Sequence, residues 1–202
     1  VGRVMNYGDG LYGGMFVCGM YTAAYFESDP RKVVEAGLAC IPAKSPYAQL
    51  VRDLLAWSAQ EPRDWRKVWQ RVESKWDKND VCPDGVFRDF NIDAKLNGAY
   101  IAFGLLYGQG NWQPTMEIAT RCGQDSDCNP SSALGVLGAM IGYANIPEQY
   151  KPELAKLADT KFDFTEYSFN DIVKSTEARA LKIIQRAGGK VSETEVIIPR
   201  QS

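Results

Sequence analysis

The segment Cys122-Gly-Gln-Asp-Ser-Asp-Cys-Asn-Pro130 runs straight into Ser131-Ser-Ala-Leu-Gly-Val-Leu-Gly-Ala-Met-Ile-Gly142, and this join of an acidic turn to an apolar run points to the fold. Pro130 disfavours helical geometry at the residue before it and is itself suited to a first helical position. Asn129 is therefore the expected N-cap. The helix that follows carries Gly135, Gly138 and Gly142, a smooth stripe that predicts very close packing on a neighbouring helix. Carboxylates set on a tightly packed helix are held rigidly, which is what a metal site needs.

The same punctuation recurs along the chain. Asp29-Pro30 and Ser45-Pro46 each set a capping side chain before a proline, opening helices that run to about Cys40 and about Ser58. In the second of these, Leu50, Leu54 and Trp57 share one apolar face. Glu61-Pro62 is expected to start a further helix with Trp65, Trp69, Val72 and Trp76 as its inner stripe, a spacing that reads as core. Asn79, Asp80, Pro83, Asp84 and Gly85 make a loop of Lys78 to Asn91, in which Phe87, Arg88 and Asp89 stand out. Asp93 to Tyr107 and Gln113 to Cys122 read as helices, as do Pro147 to Ala158 and Phe169 to Ala187. Lys190 to Ser202 reads as a short strand or an extended arm. Gly10 to Phe26 is the expected buried helix, with Gly13, Gly14, Gly19, Ala23 and Ala24 allowing other backbones to come close. With no strand-rich stretch, the fold class is all-α.

The 202 residues carry a formal net charge of −2 and no histidine. The length suits a single domain. Lacking histidine, the chain cannot hold a Ser-His-Asp or Cys-His nucleophile system or an imidazole zinc site. Acid–base chemistry then falls to Asp, Glu, Lys, Tyr or water. Arg63, Arg66, Lys67 and Arg71 cluster, but acidic residues accompany them, so they read as a solvated helix face and no nucleic-acid partner is expected. Leu11 to Phe26 is short for a membrane span and rich in glycine, so no membrane partner is expected either. The five cysteines are Cys18, Cys40, Cys82, Cys122 and Cys128. Cys18 and Cys40 have apolar neighbours and are expected as buried free thiols, with one bridge among the five left open. No signal peptide is visible, and the compartment is not fixed.

Asp125 and Asp127, one residue apart in a turn, can aim two carboxylates at one spot, the oxygen donors that magnesium or calcium prefers. The plainer reading is a polar turn whose charge suits the helix dipole. An EF-hand is excluded. Asp125, Asp127 and Asn129 match its first, third and fifth positions, but Pro130 replaces the required glycine and Val136 the bidentate glutamate.

With its surroundings, the acidic turn resembles a known family. Cys122 to Asn129, then Ser132 to Gly142 and Ile146-Pro147, are similar to the C-terminal signature of the ADP-ribosylglycohydrolase family. Gly8-Asp-Gly-Leu-Tyr-Gly-Gly-Met-Phe16, Glu35-Ala-Gly-Leu38 through Ile41-Pro42, and Asn97 to Gly110 resemble earlier segments of the same family. The likeness covers roughly residues 5 to 150. It implies a compact orthogonal helical domain, usually two magnesium ions in a cleft, and hydrolysis of the glycosidic bond joining ADP-ribose to an acceptor. Asp125 and Asp127 would then be metal ligands, and Asp9, Tyr12 and Gly13 would line the cleft for an ADP-ribose-containing substrate. Where family members often have threonine after the acidic pair, this chain has Cys128, a soft thiol ill suited to magnesium. The family's first acidic cluster, a Thr-Asp-Asp-Thr-like motif, has no counterpart here. The chain is accordingly expected to be the second portion of a longer domain that needs its N-terminal segment, with 151–202 as a helical extension and tail. Two other readings stay open: a non-catalytic nucleotide-binding or structural module on the same fold, and a hydrolase of another glycosidic bond.

Overall fold

The computed structural model describes residues 2–77 and 92–200. The expected loop with Phe87, Arg88 and Asp89, and Cys82 within it, lies outside the described residues. The described fold is all-α, as expected: α1 (Gly8–Ala24), α2 (Pro30–Ala39), α3 (Pro46–Gln60), α4 (Trp65–Trp76), α5 (Ala94–Gly108), α6 (Trp112–Arg121), α7 (Cys128–Ile141), α8 (Pro152–Leu157) and α9 (Phe169–Arg186). The only strands among the described residues are β1 (Lys190–Val191) and β2 (Val196–Ile197), an antiparallel pair in the region expected as strand or arm. No described helix is long and apolar enough to cross a membrane. The chain divides into two compact units, Val1–Ile146 and Pro147–Ser202.

The helix starts in the first unit follow from local chemistry. Asp29 accepts from the Arg31 N–H at 2.9 Å and Ser45 from the Ala48 N–H at 3.1 Å, each with proline at the next position. These bonds satisfy amides that have no partner inside the helix. One start is shifted. α4 opens at Trp65 rather than at Pro62, because the Asp64 side chain caps the Lys67 N–H at 3.0 Å. On α4, Val68 and Val72 are fully buried, whereas Trp65, Trp69 and Trp76 pack at the margin of the core. The Trp69 ring N–H donates to the Cys122 carbonyl at 2.9 Å and so fastens α4 to the end of α6. The basic residues of this region are exposed; Lys67 pairs with Glu61, and the Arg71 guanidinium lies over the Trp57 ring.

The central helix is α5, in which every residue from Lys95 to Leu105 is buried. It packs on α1, α3, α6 and α7. Glycine makes the approach to the α6 backbone possible: a Cβ at Gly104 would lie 2.8 Å from the Thr115 carbonyl oxygen on α6. Two sequence expectations are corrected. Gly135, Gly138 and Gly142 do not form one stripe against a neighbouring backbone. Gly135 makes room for the Tyr21 hydroxyl, Gly138 meets Trp112 and Ile146 at ordinary contact distance, and Gly142 ends α7 at φ 76°. Cys18 and Cys40 are exposed, not buried, Cys18 on α1 and Cys40 at the C-cap of α2 beside Gly19; Cys122 is the buried thiol, and all four described cysteines are free.

In the second unit, α9 starts with a capping box. Ser168 accepts from the Asp171 N–H, and the Asp171 carboxylate accepts from the Ser168 N–H at 2.9 Å and from Lys161 at 2.5 Å. The Lys161 ammonium and the Ser168 donors hold the Asp171 carboxyl well below the ordinary carboxylate range. A carboxylate with a lowered folded value contributes stability above its unfolded value, near 4, and loses it as pH falls through the folded value. Acidification below about pH 4 should therefore loosen the first turn of α9, while Asp171→Asn should remove most of that acid dependence. Amide exchange at Ile172 across pH 2–6 checks this. Equal acid sensitivity in the two proteins would contradict it.

Candidate metal centre

The acidic turn lies between α6 and α7, and its backbone is unusual. Gly123 has φ 100° and Gln124, with a side chain, has φ 50°. A non-glycine residue in the left-handed region needs its surroundings to hold it there. The Gln124 side-chain oxygen does so, accepting from the Asp93 N–H at 3.0 Å and from the Asn97 side-chain amide at 2.8 Å. Asn97, on the second turn of α5 and only 8% exposed, uses its whole amide. Its nitrogen also donates to the Asp93 carbonyl at 2.9 Å; its oxygen accepts from the Asp125 N–H at 3.1 Å and from the Asn129 side chain at 2.7 Å.

This arrangement overturns the expected cap. Asn129 is inside α7, which begins at Cys128, and its side chain is buried against Asn97 rather than capping. Asp127 takes the N-cap position and makes no side-chain capping bond. The Asp125 carboxylate makes a local contact, accepting from the Cys128 N–H at 3.4 Å.

The turn brings the expected pair together. Asp125, Asp127 and Cys128 each offer a ligand atom, and these atoms lie within 4.8 Å of one another. The Asp127 carboxyl is held below its ordinary range, first by a hydrogen bond with the Asp125 carboxyl and then by the Cys128 N–H. The Cys128 thiol is pushed up by its hydrogen bond to Asp125 and by the negative charges of Asp125 and Asp127. At neutral pH this leaves carboxylate oxygens beside a protonated thiol. The donor set therefore fits a hard, oxygen-seeking cation and is a poor match for a thiolate-bound soft metal.

The other expected site residues lie on α1. Asp9, Tyr12 and Gly13 are half-buried on its first turns. A Cβ at Gly13 would stand 3.9 Å from the Ala94 carbonyl oxygen at the start of α5 and 3.5 Å from the Tyr47 ring. Gly13 and the Asn97 clamp thus both meet the N-terminal turns of α5. Between α1 and α5 lies Tyr47, fully buried, its hydroxyl without a hydrogen-bond partner among the described residues. Burial, and then the charges of Asp9 and Asp93, push that hydroxyl far above the ordinary tyrosine range. Asp93 itself is buried, caps the Leu96 N–H at 2.8 Å and pairs with buried Lys95 at 2.7 Å. The sequence reading singled out neither Asn97 as a clamp nor Gln124. An amide inside the apolar run Leu96 to Leu105 is a usable signal for the first, because a buried amide must find partners. Nothing local marks the second.

A helical domain that carries two carboxylates and a thiol on a clamped interhelical turn has, as a class, a possible metal-binding group between two helices. The family is more specific. The family model described as ADP-ribosylglycohydrolase matches residues 1–182, and the chain belongs to that family. Hydrolysis of ADP-ribose linkages is the activity associated with the family, and its members are generally metal-dependent. No curated protein and no solved structure matches the chain.

Proposed function

We propose that this chain takes part in magnesium-dependent hydrolysis of an ADP-ribosyl glycosidic bond, with Asp125 and Asp127 as metal ligands. The observation that carries this is the clamped turn, which sets two carboxylates and a protonated thiol within ligating distance of one another. Bound magnesium would supply charge to polarise ribose or phosphate oxygens and to lower the pKa of a water. The chain's own part is to hold two oxygen donors at fixed separation before any cation arrives, through Asn97 and Gln124. Asp9, Tyr12 and Gly13 are assigned to the ADP-ribose side of the cleft. Their support is the family match together with their shared place on the first turns of α1, where Gly13 lies beside the start of α5.

Magnesium prefers six oxygen ligands in near-octahedral geometry. Among the described residues, one cluster alone gathers three or more candidate ligands, and only two of those are carboxylates. Ligands outside this cluster must complete the shell of one ion, and all the more so for the two ions usual in the family. With the family's first acidic cluster lacking a counterpart in the sequence, the 202-residue chain by itself is expected to bind magnesium weakly and to release ADP-ribose poorly or not at all. Titration calorimetry, with ADP-ribose release from an ADP-ribosylated protein measured alongside, tests this. Robust magnesium-dependent turnover by the isolated chain would contradict the incomplete shell.

A further inference from the structure

We infer that Asn97 is the positioning residue of the acidic turn: it sets the affinity of the Asp125–Asp127 pair for a divalent cation without touching the cation. The inference rests on the metal reading above and adds to it the group that makes the pair a site.

The geometry supports this in three ways. First, the Asn97 amide is saturated. A side-chain amide offers two donors and a two-lone-pair acceptor, and Asn97 uses them on Asp93, Gln124, Asp125 and Asn129. Three of these partners lie in or directly after the turn, so one buried side chain spans it. Second, the bond to the Asp125 N–H fixes the backbone from which one carboxylate springs, and the bond to Asn129 fixes the first turn of the helix after the other. The separation of the two carboxylates is thus defined from α5. Third, the turn cannot hold this shape through local preference, because Gln124 is in the left-handed region and Asp127 makes no side-chain cap. Without Asn97 the turn is free to relax, and the spacing of the two carboxylates is no longer fixed. A cation must then pay to fix it, which appears as lost affinity.

The test uses manganese as the probe, since its paramagnetism broadens amide resonances near its site even at weak occupancy. In the wild-type chain, manganese should broaden the resonances of Asp125 to Asn129 first. Asn97→Ala should raise the half-broadening concentration about tenfold or more, the scale usual when a residue supporting a metal's ligands is lost. Val33→Ala on α2, a buried core truncation, lowers stability and should leave that concentration unchanged. Gln124→Gly guards against Asn97→Ala failing to fold. Glycine takes the positive φ without strain, while the bonds to Asp93 and Asn97 are lost, so the fold should survive and manganese affinity should still fall. If the wild type binds manganese at the turn and both clamp variants bind it equally well, or no worse than Val33→Ala, the positioning role is wrong and the metal reading stands. If the wild type shows no selective broadening at the turn, the metal reading falls and the positioning role with it.

Discussion

Replacing Asp127 with asparagine should abolish the proposed metal-dependent hydrolysis and leave the fold in place. Asp127 is exposed and stands at the N-cap of α7, yet its side chain makes no capping bond. Asn97 and Gln124 tie the turn to α5 independently of Asp127, and the substitution leaves their bonds in place. Asparagine keeps the shape and one acceptor oxygen, so the melting temperature without metal should stay within about 2 °C of wild type, the range of an exposed polar swap. The electrostatic loss is of another order. A full charge next to a divalent ion is removed, and only Asp125 remains as a carboxylate donor in this cluster. Even screened by water, the loss of that attraction should weaken cation binding about thirtyfold or more. Calorimetry with manganese and a thermal melt on the same sample check both halves. Unchanged affinity would show that Asp127 is not a ligand, and loss of the fold would show that the turn serves α7 rather than a cation.

The second large effect concerns Gly98. Alanine is worth about 1 kcal/mol over glycine in a helix interior, so on propensity alone Gly98→Ala should stabilise α5. Packing reverses the sign. A Cβ at Gly98 would lie 1.6 Å from the Tyr47 hydroxyl oxygen and 2.6 Å from its ring carbon. Tyr47 has no room to retreat. It is fully buried, its ring stands 5.5 Å from that of Phe16, and its edge faces Gly13 on α1. Overpacking of this kind typically costs about 1–3 kcal/mol, and two sub-contact distances to a rigid ring put this case at the upper end. A net loss of about 2 kcal/mol corresponds to a fall of roughly 4–8 °C in melting temperature for a chain of this size. Tyr47→Phe alone should be neutral or stabilising by up to about 1 kcal/mol, because it removes a buried hydroxyl that has no described partner. The double variant should recover only part of the loss, since the ring carbon stays too close. A melting temperature for Gly98→Ala at or above wild type would show that Tyr47 does not sit between α1 and α5 as described.

Much of this protein is determined by the sequence at short range. Asp29-Pro30, Ser45-Pro46 and Asp93 mark the starts of α2, α3 and α5 because a cap bonds an amide two or three residues on, and no distant group is needed. The all-α class follows from repeating that device, and the Asp125–Asp127 pair is visible because both ligands lie on one turn. The failures come where a residue's partner is far along the chain. Asn129 has the local credentials of an N-cap, but Asn97, 32 residues away, takes its side chain, and α7 starts at Cys128, two residues before the expected first helical residue, Pro130. Cys18 and Cys40 have apolar neighbours in sequence, yet exposure depends on which helix face the rest of the fold covers. Close packing falls at Gly98, Gly104 and Gly135 rather than along all three α7 glycines, because it depends on where Tyr47, Thr115 and Tyr21 arrive from other helices. The sequence by itself determined the helices and the two carboxylates. Only the tertiary structure decided that a buried amide on α5 holds those carboxylates together, because that hold is made of hydrogen bonds between residues 27 to 32 positions apart.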